Sequence, residues 1–207
     1  MLLERCCITA EEVSCARING AGRVELCRNL SVGGITPERE EIVKAVATGM
    51  KVNVLVRPRG GDFVYSEAEI CEMMDDIDFC QKSGANGVVI GALTREGDID
   101  VKSMQRLMEH AKGLEVTFHR AFDQCSDPFR ALEQIIDLGC RTLLTSGQAA
   151  TAIEGTELIS QLVRKADGRI VIMPGCGVTP DNLNQIAEDT GTCEFHGTKL
   201  CKAQQNY

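Results

Sequence analysis

Read for hydrophobic periodicity, the chain alternates short apolar, β-branched runs with longer stretches whose apolar positions recur every three or four residues. The short runs predict eight strands: Leu2 to Cys7, Arg23 to Cys27, Val52 to Arg57, Gly87 to Gly91, Glu115 to Arg120, Thr142 to Thr145, Ile170 to Met173 and Cys193 to His196. Helices are predicted between them. Thr9 with Glu12, and Ser66 with Glu69, have the spacing of capping boxes, in which hydroxyl and carboxylate each satisfy an orphan amide. Ile70, Met73, Met74, Ile77 and Cys80 then repeat at helical spacing, as do Phe129, Leu132, Ile135 and Ile136 after Ser126, and Leu158, Ile159, Leu162 and Val163 after Thr156. These stripes read as packing faces. Gly34-Ile35-Thr36-Pro37 and Gly177-Val178-Thr179-Pro180 share a pattern that suits a loop-to-helix junction, with threonine as cap and proline in the first turn.

Alternating strands and helices imply a parallel sheet. Eight units favour a closed barrel, and no glycine-rich dinucleotide fingerprint follows the first strand. The expected fold is therefore a single α/β domain, an eight-stranded (β/α) TIM-like barrel over residues 1–198, with 199–207 as a short polar tail. A barrel of this kind typically runs to ~250 residues, so no room is expected for a full final helix.

Composition narrows the function classes. At 207 residues and 43% hydrophobic content there is material for one sizeable core. A net charge of -8 disfavours nucleic acid and anionic membrane as partners. The first residues lack a basic region followed by an apolar run, and no stretch approaches the ~20 apolar residues of a membrane span, so a cytoplasmic location is expected. The 11 cysteines are odd in number and scattered through strands and helices, which reads as reduced thiols. Cys71, Cys80 and Cys140 are expected to fill the core. No C-x-x-C spacing supports a zinc knuckle or a dithiol redox site.

In such a barrel the site forms at the C-terminal ends of the strands, and the polar residues gather there. Arg57, Arg59 and Arg120 suit an anion, because guanidinium forks match carboxylate or phosphate; the plain alternative is an internal ion-pair network with Glu25, Asp62 or Asp123. His119, at a strand end, is the candidate general acid or base, with Glu25, Asp62 and Asp123 as the carboxylates beside it; the alternative is a hydrogen-bonded structural histidine. His196 is a weaker candidate, and His110 falls on an exposed helix face. Thr145 and Ser146 after strand six, and Gly175 and Gly177 after strand seven, complete the anion-binding set, since barrels often hold phosphate on backbone amides there. Cys6 and Cys7 point to opposite faces of a strand, so they cannot share an ion, whereas Cys6 and Cys27 end neighbouring strands ~4.8 Å apart. As soft thiolates they suit Cu(I), and two buried thiols without metal are the alternative.

Several of these runs carry a resemblance. Cys6-Cys7, Arg23-Val24-Glu25-Leu26-Cys27, Gly33-Gly34-Ile35-Thr36-Pro37, the run from Arg57 to Phe63, the run from Thr117 to Asp123 and Leu144-Thr145-Ser146-Gly147-Gln148 together resemble the CutC family, from Leu2 to about Thr198. The resemblance implies an eight-stranded barrel, a cytoplasmic homo-oligomer and the family's label of copper homeostasis, to which the thiol pair adds Cu(I) as the candidate ion. Family members continue with a further helical region where this chain has its polar tail. Apolar surface near strands one and eight is then expected to lack its cover and to seek a partner copy. Two other readings stand beside this one: an enzyme that binds a small anionic or phosphorylated metabolite and moves a proton, and a non-catalytic oligomeric scaffold. The sequence assigns no reaction.

Overall fold

A computed structural model describes residues 1–200. Its strands are β1 (Leu2–Cys7), β2 (Arg23–Leu26), β3 (Val52–Leu55), β4 (Gly87–Ile90), β5 (Glu115–Phe118), β6 (Thr142–Thr145), β7 (Val171–Pro174) and β8 (Glu194–Gly197). The helices are α1 (Ala10–Ile18), α2 (Arg39–Ala47), α3 (Glu67–Lys82), α4 (Val101–His110), α5 (Pro128–Asp137), α6 (Thr156–Ala166) and α7 (Leu183–Thr190). All strand ladders are parallel, in the order β7-β6-β5-β4-β3-β2-β1-β8. β7 and β8 lie side by side without a ladder among the described residues. This is the expected eight-stranded TIM-like barrel, nearly closed.

Strand alternation separates two environments. Cys7, Val24, Leu26, Val54, Val88, Ile90, Phe118, Leu143 and Phe195 pack outward into the main core beneath the helices. The opposite positions face the barrel axis, and many are polar: Glu4, Arg23, Glu25, Asn53, Thr117, Thr142, Glu194 and His196 are all buried. Only Cys6, Cys27, Leu55 and Val89 form a small apolar cluster apart from the main core.

Helix starts differ from the sequence reading in detail. Ser66 and Glu69 form the full capping box, but at α1 only half is made: Thr9 accepts from the Glu12 amide while the Glu12 carboxylate takes the amide of Ile8. Asp127, not Ser126, caps α5 with Pro128 in its first turn, and Gly155 precedes α6. The two Gly-apolar-Thr-Pro junctions start their helices later than expected, behind Glu38 and Asn182. Thr36 instead accepts from the Arg57 amide, tying the loop after β2 to the end of β3. Cys80 and Cys140 are buried as expected, whereas Cys71 is exposed. Of the expected tail, Lys199 is exposed and Leu200 buried, and residues 201–207 lie outside the described residues.

Candidate functional site

The C-terminal ends of the strands open into a cavity of about 900 Å³. Cys6, Glu25, Cys27, Arg57, His119, Arg120, Asp123 and Gly177 all line it, which brings most of the sequence-predicted site together. Arg59, Asp62, Thr145, Ser146 and Gly175 stand behind or outside its wall.

The three arginines have different partners. Arg57 is buried and donates to the carbonyls of Val32, Gly34 and Gly61 at 2.8–3.0 Å, with its guanidinium 4.7 Å over the Phe63 ring. Carbonyl dipoles thus take the role that the sequence reading gave to Glu25, Asp62 or Asp123, and the side chain staples two loops. Arg59 pairs with Glu69 and Asp62 away from the cavity, over Tyr65. Arg120 donates to Asp123 at 2.8 Å and to Ser146 Oγ at 3.1 Å while remaining partly exposed in the cavity wall.

Asp123 is an organiser. It accepts from Arg120, from the hydroxyls of Thr145 and Ser146, and from the amides of Ser146 and Gln148, which orders the loop after β6. These bonds occupy both oxygens of its carboxylate.

His119 caps the 3-10 turn over residues 120–124, its Nδ1 accepting from the Ala121 amide at 3.2 Å. The proton of the neutral ring therefore sits on Nε2. Burial, and then the charge of Arg57, push its pKa down to about 3. A ring held neutral in this way can donate a hydrogen bond from Nε2 but carries no proton to deliver as an acid near neutral pH. Gly91 makes room for it: a Cβ there would lie 2.6 Å from His119 Nδ1.

The floor of the cavity holds the densest chemistry. Cys6 pairs with Glu25 across β1 and β2, and Cys27 follows at the end of β2. The Cys6 and Cys27 sulfurs are 3.4 Å apart and buried. The contact with Cys27 and burial together hold the Cys6 thiol far above the ordinary thiol range. On the other side of Cys6, its sulfur, a Glu25 oxygen and a His196 ring nitrogen lie within 4.8 Å of one another. His196 Nδ1 is 2.9 Å from Glu4 Oε1, and Glu4 in turn accepts from Arg23, which also binds Glu194. Burial disfavours the charged His196 ring, but Glu25, Cys6 and Glu4 outweigh it and hold its pKa well above that of free imidazole. Burial likewise lifts the Glu25 carboxyl to about 7, opposed by His196, reinforced by Glu4 and opposed by Arg23. Oε2 of Glu25 is buried with no hydrogen-bond partner among the described residues.

Sequence reasoning placed Cys6, Cys27 and Glu25 here but undervalued His196 and passed over Glu4 and Arg23. The available signal was charge inside a strand: Glu4 and Arg23 occupy positions where an alternating strand in an ordinary barrel would place an apolar interior side chain. Cys176 was also missed as a wall residue; it lines the cavity with a left-handed φ of 77° and donates from Sγ to the Ala150 carbonyl.

Comparison with known proteins adds lineage to this geometry. A family model described as the CutC family matches residues 1–201. The family protein CutC of Parabacteroides distasonis is 52% identical over 197 residues, covering 94% of this chain and 81% of that protein. Its counterpart in Bacteroides fragilis is 51% identical, covering 94% and 78%. Among solved structures, one named as a copper homeostasis protein CutC, from Streptococcus agalactiae, superposes with a TM-score of 0.92 at 36% identity, covering 97% of this chain and 99% of that one. The aldolase QR15 shares the barrel at a TM-score of 0.69 and 14% identity, over 96% and 90% of the two chains, a likeness of fold alone.

Proposed function

The chain belongs to the CutC family, and from that premise we propose that it serves copper homeostasis by holding a Cu(I) ion between the thiols of Cys6 and Cys27. The observation that carries this reading is the 3.4 Å separation of two buried sulfurs at the floor of an open cavity. Thiolates are soft donors that select Cu(I), and two of them on adjacent strands need little rearrangement to grip one ion. The thiols must lose their protons on binding, so the affinity should fall as the pH is lowered. The same reading places the protein in the reducing cytoplasm, consistent with the absence of disulfides among the described cysteines. Independently of the ion, the likeness to the family supports a homo-oligomer, which sedimentation of a dilute sample tests directly: a lone monomer would remove that part.

Changing Cys6 and Cys27 together to serine should abolish stoichiometric Cu(I) binding under reducing conditions, measured by competition with a chromophoric chelator. The exposed Cys71 is the matched control. Unchanged binding in the double variant would sink the assignment.

A second reading, in which the cavity takes a small anionic metabolite as substrate or ligand, is favoured by one feature of the wall. The cavity of about 900 Å³ has the size of a small-molecule pocket. At its rim the amides of Cys176, Gly177 and Val178 meet no acceptor among the described residues. Backbone amides gathered at the seventh strand of a barrel are suited to phosphate or carboxylate oxygens.

A further inference from the structure

Cys6 stands between two different donor sets. On one side is the sulfur of Cys27. On the other are the Glu25 carboxylate and the His196 ring, with Cys27 outside that group. A thiolate, a carboxylate and an imidazole form a mixed set that suits a borderline ion better than Cu(I).

Three observations converge on the mixed set. The ligand atoms already lie within 4.8 Å of one another, and on one tetrahedral ion they would stand ~3.3–3.8 Å apart, as ligand distances of 2.0–2.3 Å require. A contraction of that size is within reach of side-chain rotation. Next, His196 has the support typical of a ligating histidine. Glu4 holds Nδ1, Arg23 and Asn53 hold Glu4, and the ring is thereby fixed with Nε2 left for another partner. Finally, Glu25 Oε2 is buried without a partner among the described residues, an arrangement that costs free energy unless something fills it.

We propose that Cys6 Sγ, His196 Nε2 and a Glu25 carboxylate oxygen form a site for a divalent cation of the zinc class, with a fourth position facing the cavity. Within the site the charges balance, since one thiolate and one carboxylate offset a divalent ion; outside it Glu4 and Glu194 face Arg23 and Arg141. The Cys6 thiol proton and the Nε2 proton of His196 leave to solvent as the ion binds. Three protein ligands with an open position are the arrangement of zinc sites that act on a bound molecule, and here the open position faces a pocket large enough for one. This site shares Cys6 with the copper reading but depends on Glu25 and His196 instead of Cys27, so the two can fail separately.

The test uses the full chain stripped of metal and titrated with Co(II) as an optical stand-in for zinc. One equivalent should bind with a thiolate-to-cobalt charge-transfer band and be displaced by Zn(II). Cys27→Ser should keep that band; Cys6→Ser should lose it. Glu25→Gln should weaken Co(II) by more than the roughly 10–100-fold that loss of an outer partner costs. His196→Asn should do the same, but it also strips Glu4 of a buried partner. Glu25→Gln breaks no hydrogen bond and keeps the shape, so it carries the test if the histidine variant fails to fold. Absence of a thiolate band in the wild type, its loss in Cys27→Ser, or an unaltered affinity in Glu25→Gln would each overturn the site. Failure of the copper reading would show separately, as Cu(I) retained by the Cys6 and Cys27 double variant.

Discussion

In an unfolded chain His119 takes up a proton as the pH falls below about 6.5, whereas in the fold burial and Arg57 keep the ring neutral down to about 3. Between those limits the unfolded state binds more protons, so stability rises with pH and is lost as pH falls through the window. His119→Asn keeps an acceptor for the Ala121 amide and removes the titration. Urea unfolding at pH 4 and pH 7 should therefore show the wild type losing about 3 kcal/mol more than the variant on acidification, at 1.36 kcal/mol for each unit of displacement. Parallel profiles would refute the assignment. Residues of this kind were half legible in the sequence. That His119 and Arg57 reach the cavity follows from their positions at strand ends. Their partners do not follow, because the Arg57 guanidinium keeps its charge and is solvated by the main-chain carbonyls of Val32, Gly34 and Gly61, and a carbonyl leaves no mark in residue type.

Between elements, the join that positions the cavity wall is the Asp123 carboxylate, which ties the 3-10 turn after β5 to the loop after β6. Asp123→Asn keeps the shape but replaces one acceptor oxygen by an NH₂ group that must face amides and hydroxyls. Loss of charge-assisted bonds and a buried donor facing donors should cost about 2–3 kcal/mol in chemical unfolding. Hydrogen exchange at the Ser146 and Gln148 amides should quicken beyond the global loss; exchange that follows global unfolding alone would show that the carboxylate does not hold this loop. The strands were readable to within about two residues, because short apolar runs between helical stretches mark strands buried on both sides, and in β2 apolar and charged residues also alternate. Helix starts were less so. Pro37 and Pro180 sit short of their helices because the preceding threonine is engaged elsewhere: Thr36 by the Arg57 amide of a distant loop, and the Thr179 amide by the side chain of Asn182 three residues on. The first of these contacts, between loops far apart in the chain, has no local sequence signature.

For the molecule as a whole, a net charge of -8 makes a cavity walled by Arg57 and Arg120 an exception in its own protein. The structure divides the cationic groups by availability. Arg57 is held by carbonyls and Arg59 by Glu69 and Asp62, so neither has a free fork for a ligand. Arg120 keeps part of its guanidinium in the cavity, which is also lined by Cys176 to Val178, whose amides meet no acceptor among the described residues. If a small anion completes this site, phosphate should raise the melting temperature, because a ligand that binds only the folded state stabilises it by mass action, about 2.7 kcal/mol at a hundredfold excess over Kd. Screening acts on every surface pair and must be separated from binding, so chloride at equal ionic strength is the reference. Arg120→Gln should lose most of the phosphate response. Arg59→Gln should keep it, since that side chain lies outside the cavity wall and its removal breaks only partly exposed pairs. Equal stabilisation by phosphate and chloride, unaltered in Arg120→Gln, would remove the anion reading and leave the arginines as scaffolding.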